Sequence, residues 1–317
     1  MVNFISRHSN VSCPPSDCFF NISKTVCSVI HASWDQMIQV LSWNIQNGEG
    51  VDGKISLNRI ADTIFSMCTP DVICLQEVSR NLILKDNTKP DQLKQLSNLF
   101  LDYEAFYGPA YDVLRDGESQ REQFGNIILS KLPVLSSFNH ILPQPTNSSF
   151  RHMPRQASEV TVQTPSFPLC VITTHLEYGS QNQRYEQFKR ILSIKDDIDN
   201  LSINPATIQE NSPYAKLERS NKVVICGDFN FESSSEEYGL ISSYSDKPLI
   251  DSWTHLNSNL KHAPTCGIFD KKQWSEGPHC RDFAFVSDNL KNNIGNFIVN
   301  EETDASDHQP IVLTISD

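Results

Sequence analysis

Residues 222–230 read KVVICGDFN. Val223 to Cys226 form the short continuous apolar run of a buried strand, and Asp228 and Asn230 follow it almost at once. Two residues apart at a strand end, these two polar side chains point to the same side and into one cleft. A strand that ends this way presents functional groups at the edge of a sheet.

Working outward, other apolar runs end in the same manner. Ile38–Trp43 leads to Asn44 and Gln46, Val72–Leu75 to Glu77, and the run at 169–174 to His175. Further strands are expected at 125–130, 157–163, 282–286 and 310–315, with Asp282, Asp307 and His308 at or beside their ends. Leu57, Ile60, Ala61, Ile64 and Phe65 recur at helical spacing behind Ser56, a good N-cap, which predicts a helix over 57–68. Helical patterns also appear near 91–100 and 182–198, while 199–221, with Asn204-Pro205 and Ser212-Pro213, reads as an exposed loop. Strands outnumber helices by more than strict βα alternation permits, so two packed mixed sheets with helices outside are expected.

Residues 1–36 carry three cysteines and Pro14-Pro15 without sustained periodicity, and read as a poorly ordered N-terminal extension. The fold is expected to begin near Met37 and to run to 317 as a single domain, and a start at Met37 is expected to suffice for folding and activity. A net charge of −12 argues against coating long nucleic acids through many phosphate contacts. Nine cysteines without CxxC pairs suit a reducing cytoplasm, and Cys74, Cys170 and Cys226 lie inside apolar runs. Neither a membrane span of about 18 apolar residues nor a signal-peptide apolar segment is visible.

Single acids after strands are common as turn residues or caps. The ordered set is more specific: SWNIQ (42–46), LQEV (75–78), GNIILS (125–130), TTHLE (173–177), CGDFN (226–230), RDFAFVS (281–287) and SDHQPIV (306–312). It resembles the motifs of the endonuclease/exonuclease/phosphatase (DNase I-like) superfamily from about 38 to 316. That resemblance implies a four-layer α/β sandwich, two mixed β-sheets flanked by helices, with a metal-dependent phosphoesterase site at one edge. In that pattern Glu77, Asn44 and Asp307 would hold Mg²⁺ or Mn²⁺, a hard cation served by oxygen ligands. His308 would be base or electrostatic partner of the attacking water, and Asp282 would orient it. Asp228 would orient the water, Asn230 would donate to the phosphate, and His175 would stand near the scissile phosphate. Gln46 departs from some of the superfamily's DNA-repair nucleases, which carry aspartate at that place.

The expected reaction is phosphodiester hydrolysis on a phosphoester substrate, nucleic acid or nucleotide, by a monomer without stable membrane association. Alternatives are a phosphomonoesterase, a phospholipid or sphingomyelin phosphodiesterase, and a catalytically silent scaffold of the same fold. GEGVDGK (48–54) imitates a P-loop, but Ile55 stands where Ser or Thr would bind Mg²⁺. Cys266, Cys280, His279 and His262 lack the paired spacing of a zinc site. Arg155 and Arg184 are read either as phosphate contacts or as surface partners of Glu159 and Glu186. Trp274, between glycines and a proline in 266–280, is either a substrate lid or ordinary packing.

Overall fold

The computed structural model describes residues 37–317 except 147, 152 and 206, so the expectations for the N-terminal extension lie outside the described residues. Among the described residues, twelve strands divide into two six-stranded sheets. The first has the order β11-β12-β1-β2-β4-β3, where β1 is Met37–Asn44, β2 Val72–Arg80, β3 Glu104–Val113, β4 Glu122–Ser130, β11 Ile294–Val299 and β12 Ile311–Ser316. The second has the order β5-β6-β7-β8-β10-β9, comprising β5 Val134–Ile141, β6 Gln156–Gln163, β7 Pro168–His175, β8 Val223–Asp228, β9 Leu249–Asp251 and β10 Asp282–Ser287.

Each sheet has one parallel pair, β1 with β2 and β7 with β8, at its centre, and every other pairing is antiparallel. Parallel neighbours need a crossover helix. Helix α1 (Leu57–Met67) serves β1 and β2, and α3 (Gln181–Ile203) serves β7 and β8. Helices α2 (Gln92–Leu99), α4 (Glu236–Ser243) and α5 (Ser252–Leu256) complete the set. Ser56 caps α1 as expected, its hydroxyl accepting from the Arg59 amide at 3.2 Å.

Three apolar layers account for the sandwich. Val40, Val72, Cys74, Ile128, Val171, Val224, Cys226 and Leu313 pack between the sheets. Leu41, Trp43, Ile73 and Leu75 take the opposite face of the first sheet, against Ile60 and Ile64 of α1 and Leu96 of α2. Phe188, Ile191 and Ile198 of α3 cover Ile172, Ile225 and Phe285 of the second sheet. Strands buried on both faces are mostly apolar, hence the continuous runs in the sequence; β6 is the exception, with Gln156, Ser158, Glu159 and Thr161 buried. Burying each such side chain stabilises the fold by about 1.5–3 kcal/mol. Polar ties also cross between the sheets: Gln76, fully buried, donates to Thr173 Oγ1 of the other sheet at 2.9 Å and to Ser42 Oγ of its own at 3.2 Å.

The structure adds β3, β5, β9 and β11, which the apolar runs did not reveal. β3 is mostly half-buried, β5 exposes alternate residues, and β9 has only three. β2 also continues past Glu77 to Arg80, through a register irregularity between Leu75 and Val78. Helix α3 runs on to Ile203, five residues beyond the expected end. Ile198 is buried, and Asp199 pairs with Lys195 at 2.8 Å, which carries the helix into the polar segment.

Candidate active site

The carboxyl ends of the two central parallel pairs converge, bringing Asn44, Glu77, His175 and Asp228 to one edge of the sandwich. Sheet ligands gather outside such strand ends. Antiparallel β10 contributes its first residue, Asp282, directly opposite Asp228, and the loop before β12 supplies Asp307 and His308.

Asn44 is the bridge between the sheets. Its Nδ2 donates to Glu77 Oε1 at 3.1 Å within the first sheet and to Asp228 Oδ2 at 3.0 Å in the second, while its Oδ1 accepts the Gln46 amide at 3.0 Å. Asp228 Oδ2 is a hub, with His175 Nε2 at 3.5 Å and His308 Nε2 at 3.6 Å. His308 Nδ1 lies 2.8 Å from Asp282 Oδ2, the pairing that the sequence resemblance implied. Among the described residues, Asp228, Asp282 and His308 bring ligand-type atoms within 4.8 Å of one another.

Backbone strain marks the same place. Glu77 has φ of 58° and Gln46 of 46°, whereas the other non-glycine residues with positive φ among those described are all asparagines. Asparagine tolerates the left-handed region, but for glutamate it costs of order 1–3 kcal/mol and persists only where surroundings over-determine it. Asn230 is also left-handed, φ 53°, so it does not alternate with Asp228 along an extended strand as expected. Its amide donates instead to the Asp228 carboxylate at 2.9 Å, and its side chain donates to Leu176 O at 3.0 Å. Gly227 lets β7 and β8 approach: a Cβ there would lie 2.0 Å from Thr174 O.

The two histidines are pushed apart electrostatically. Burial, helped by the Arg155 charge, lowers His175 to about 3, so this imidazole is neutral. Burial opposes a charge on His308 as well, but Asp282, Asp228 and Asp307 surround it and hold its pKa well above the ordinary value. Asp228, despite burial, is held below the usual carboxylate range by His308 and His175. Glu77 is driven up to about 7, first by burial and then by the charge of Asp307. Asp307 is raised by burial. Opposite shifts within one cluster mark it as a candidate site for acid and base chemistry.

Gln273 carried no sequence signal, and several residues noted in the sequence take partners that the sequence did not specify. Asp307 Oδ2 accepts Gln273 Nε2 at 2.7 Å and Trp274 Nε1 at 3.3 Å. Trp274 is 2 % exposed, its ring 5.6 Å from that of His308. It therefore packs beneath the site and is no mobile lid. Ser306, inside the SDH motif, donates to Asn44 O at 2.8 Å. Arg155 is buried and faces Glu177 at 3.4 Å rather than Glu159, which binds Arg219 and His140. Its Nη1 has no partner among the described residues, and Arg155 lines a small cavity together with His175. Arg184 pairs with Glu237 at 2.9 Å, not Glu186, because its guanidinium turns inward onto Glu177 O and Tyr178 O. His279 accepts from Arg281 Nε at 2.8 Å beside Cys266, and His262 lies on Asp251, so the two histidines serve separate contacts and no zinc set assembles from them.

Residues 41–308 match the model of the endonuclease/exonuclease/phosphatase family. The chain belongs to the endonuclease/exonuclease/phosphatase family. Members are hydrolases acting on phosphoester bonds, and this chain is such a hydrolase. A family structure from Beutenbergia cavernae DSM 12333 is similar at 20 % identity and TM-score 0.64, covering 89 % of this chain and 72 % of that one. A mannosyl-6-phosphatase of Bacteroides thetaiotaomicron VPI-5482 is similar at 19 % identity and TM-score 0.61, with 87 % and 98 % covered. TDP2 from Caenorhabditis elegans is similar at 22 % identity and TM-score 0.60, with 90 % and 76 % covered. At such identities the likeness concerns the fold. No curated protein matches the sequence. No helix among the described residues is long and apolar enough to cross a membrane.

Proposed function

We propose that this family member is a divalent-metal-dependent phosphodiesterase that hydrolyses its substrate by in-line attack of water. The observation that carries the reading is the bridge of Asn44 between Glu77 and Asp228 beside the His308–Asp282 pair. Glu77, Asp228 and Asp307 crowd negative charge into one buried site, and burial together with the charge of Asp307 raises Glu77 to about 7. A set of carboxylate oxygens fits a hard cation such as Mg²⁺ or Mn²⁺. Glu77 and Asp307, with Asn44 beside them, would hold it, and it would offset charge on the phosphoryl and leaving oxygens.

The chain's own groups do the rest. Asp228, held ionised, orients the attacking water and takes its proton as the water oxygen bonds to phosphorus and the leaving oxygen departs. His308, kept cationic, stabilises the negative charge that develops on the phosphoryl oxygens, with Asp282 fixing its ring. Neutral His175 and the unpartnered Nη1 of Arg155 donate to the substrate phosphate. Asn230 supports the turn that holds Asp228 and directs its second amide hydrogen toward the phosphate.

Hydrolysis of bis-p-nitrophenyl phosphate should require Mg²⁺ or Mn²⁺, vanish in EDTA, and fall by at least about 10²-fold in His308→Gln. Full activity in chelator would overturn the mechanism. Preference for a phosphomonoester would move the assignment to a phosphatase.

A further inference from the structure

Two aromatic rings stand out at the rim of the site. Tyr178, three residues beyond His175, is 55 % exposed, and Phe150 is 48 % exposed. Both flank Gly179, where a Cβ would lie 3.5 Å from Phe150 Cδ1. Tyr178 is tied to the catalytic groups through Trp274. The Trp274 ring meets Tyr178 edge-on at 6.0 Å and His308 at 5.6 Å. The Arg281 guanidinium lies 5.8 Å from the Tyr178 ring and 5.0 Å from Trp274, while its Nη1 donates to Asn230 O at 3.0 Å.

The support is rigid. Arg184 Nη1 donates to the carbonyls of Glu177 and Tyr178 at 3.0 and 2.9 Å, and the Gly179 amide donates to Glu177 Oε1 at 2.9 Å. Arg281 is fixed by His279 and Asn230. An exposed ring on a pinned backbone beside a fixed cation loses little entropy when something stacks on it.

We propose that Tyr178, with Phe150 across Gly179 and Arg281 behind, is the seat for a nucleobase attached next to the scissile phosphate, making a nucleoside phosphodiester the preferred substrate. This deepens the phosphodiesterase reading and rests on it. A nucleobase offers a flat π face with polar edges, and aromatic side chains with arginine are its usual platform. A lipid chain would need a continuous apolar surface. Here Glu276, 3.6 Å from Arg281, and exposed Lys271 and Lys272 interrupt the rim.

The test compares thymidine 5′-(p-nitrophenyl phosphate) with methyl p-nitrophenyl phosphate, two esters with the same chromogenic leaving group, in Mg²⁺. Wild type should favour the nucleoside ester in kcat/KM by roughly 5- to 100-fold. Tyr178→Ala should erase most of that preference through KM, Phe150→Ala part of it, and Tyr178→Phe should retain it. The methyl ester should be unaffected by all three. Equal losses on both esters would mean that the ring seats the p-nitrophenyl group or is merely structural, and would overturn the proposal, as would a wild type without preference. If neither ester is cleaved, the phosphodiesterase reading fails separately. Calorimetric titration with AMP then decides the seat: binding weakened by Tyr178→Ala supports it, and equal binding or none refutes it.

Discussion

Replacing Asn44 by aspartate changes almost no volume but inverts the electrostatics of the bridge. The wild-type amide donates to Glu77 at 3.1 Å and to Asp228 at 3.0 Å, and the variant donates to neither. Hydrogen bonds to charged groups contribute about 1.5–3 kcal/mol each, so their loss alone costs about 3–6 kcal/mol. Two new like-charge contacts add to this, each up to about 4 kcal/mol at 4 Å and an effective dielectric of about 20. Proton uptake limits that second contribution, because Glu77, already at about 7, escapes by becoming neutral. Asn44→Ala loses the same bonds without adding charge, so it isolates the first contribution. In EDTA at neutral pH, Asn44→Asp should unfold below Asn44→Ala. Both should lie below wild type, by a Tm shift on the order of 10 °C at about 2–4 °C per kcal/mol. The sign of the pH dependence follows. Carboxylates whose folded pKa is raised destabilise the ionised state, and acidification relieves this, so the gap between the variants should close as the pH falls. Thermal melts at several pH values measure it. An Asn44→Asp protein as stable as wild type in EDTA, or a gap that widens on acidification, would refute the bridging role.

Other outcomes follow from the same geometry. Gly227→Ala drives a methyl against Thr174 O at 2.0 Å, at a φ of 143°, and should lower stability by about 3 kcal/mol or more by urea unfolding, with loss of activity as Asp228 shifts. Trp274→Phe keeps an aromatic against His308 but removes the donor to Asp307, so it should cost about 1–3 kcal/mol and raise the Mg²⁺ concentration giving half-maximal hydrolysis. Buried Glu159 is held below its ordinary pKa because His140 and Arg219 outweigh burial, so its contribution to stability is present at neutral pH and lost as pH falls through its folded pKa. Arg219→Ala should cost about 3–5 kcal/mol at neutral pH by urea unfolding, with a milder loss on acidification than in wild type.

What the sequence determined by itself is local. Strands buried on both faces are mostly apolar, so β1, β2, β4, β7, β8, β10 and β12 were visible as runs, β6 was visible through its β-branched Val160, Thr161 and Val162, and the polar residues ending several of them could be picked out individually. The Ser56 cap was legible for the same reason, since its hydroxyl acts only three residues away. Strands β3, β5, β9 and β11 were not, because half-exposed or very short strands carry no such run.

The tertiary structure alone decided what depends on distant neighbours. Asn44 meets Asp228 across 184 positions, and Arg155 and Arg184 choose Glu177 and Glu237 over the acids nearer in the pattern. The opposite charge states of His175 and His308 likewise depend on which groups surround each ring. Burial and Coulomb interaction act through space, and only the convergence of two sheets fixes that space.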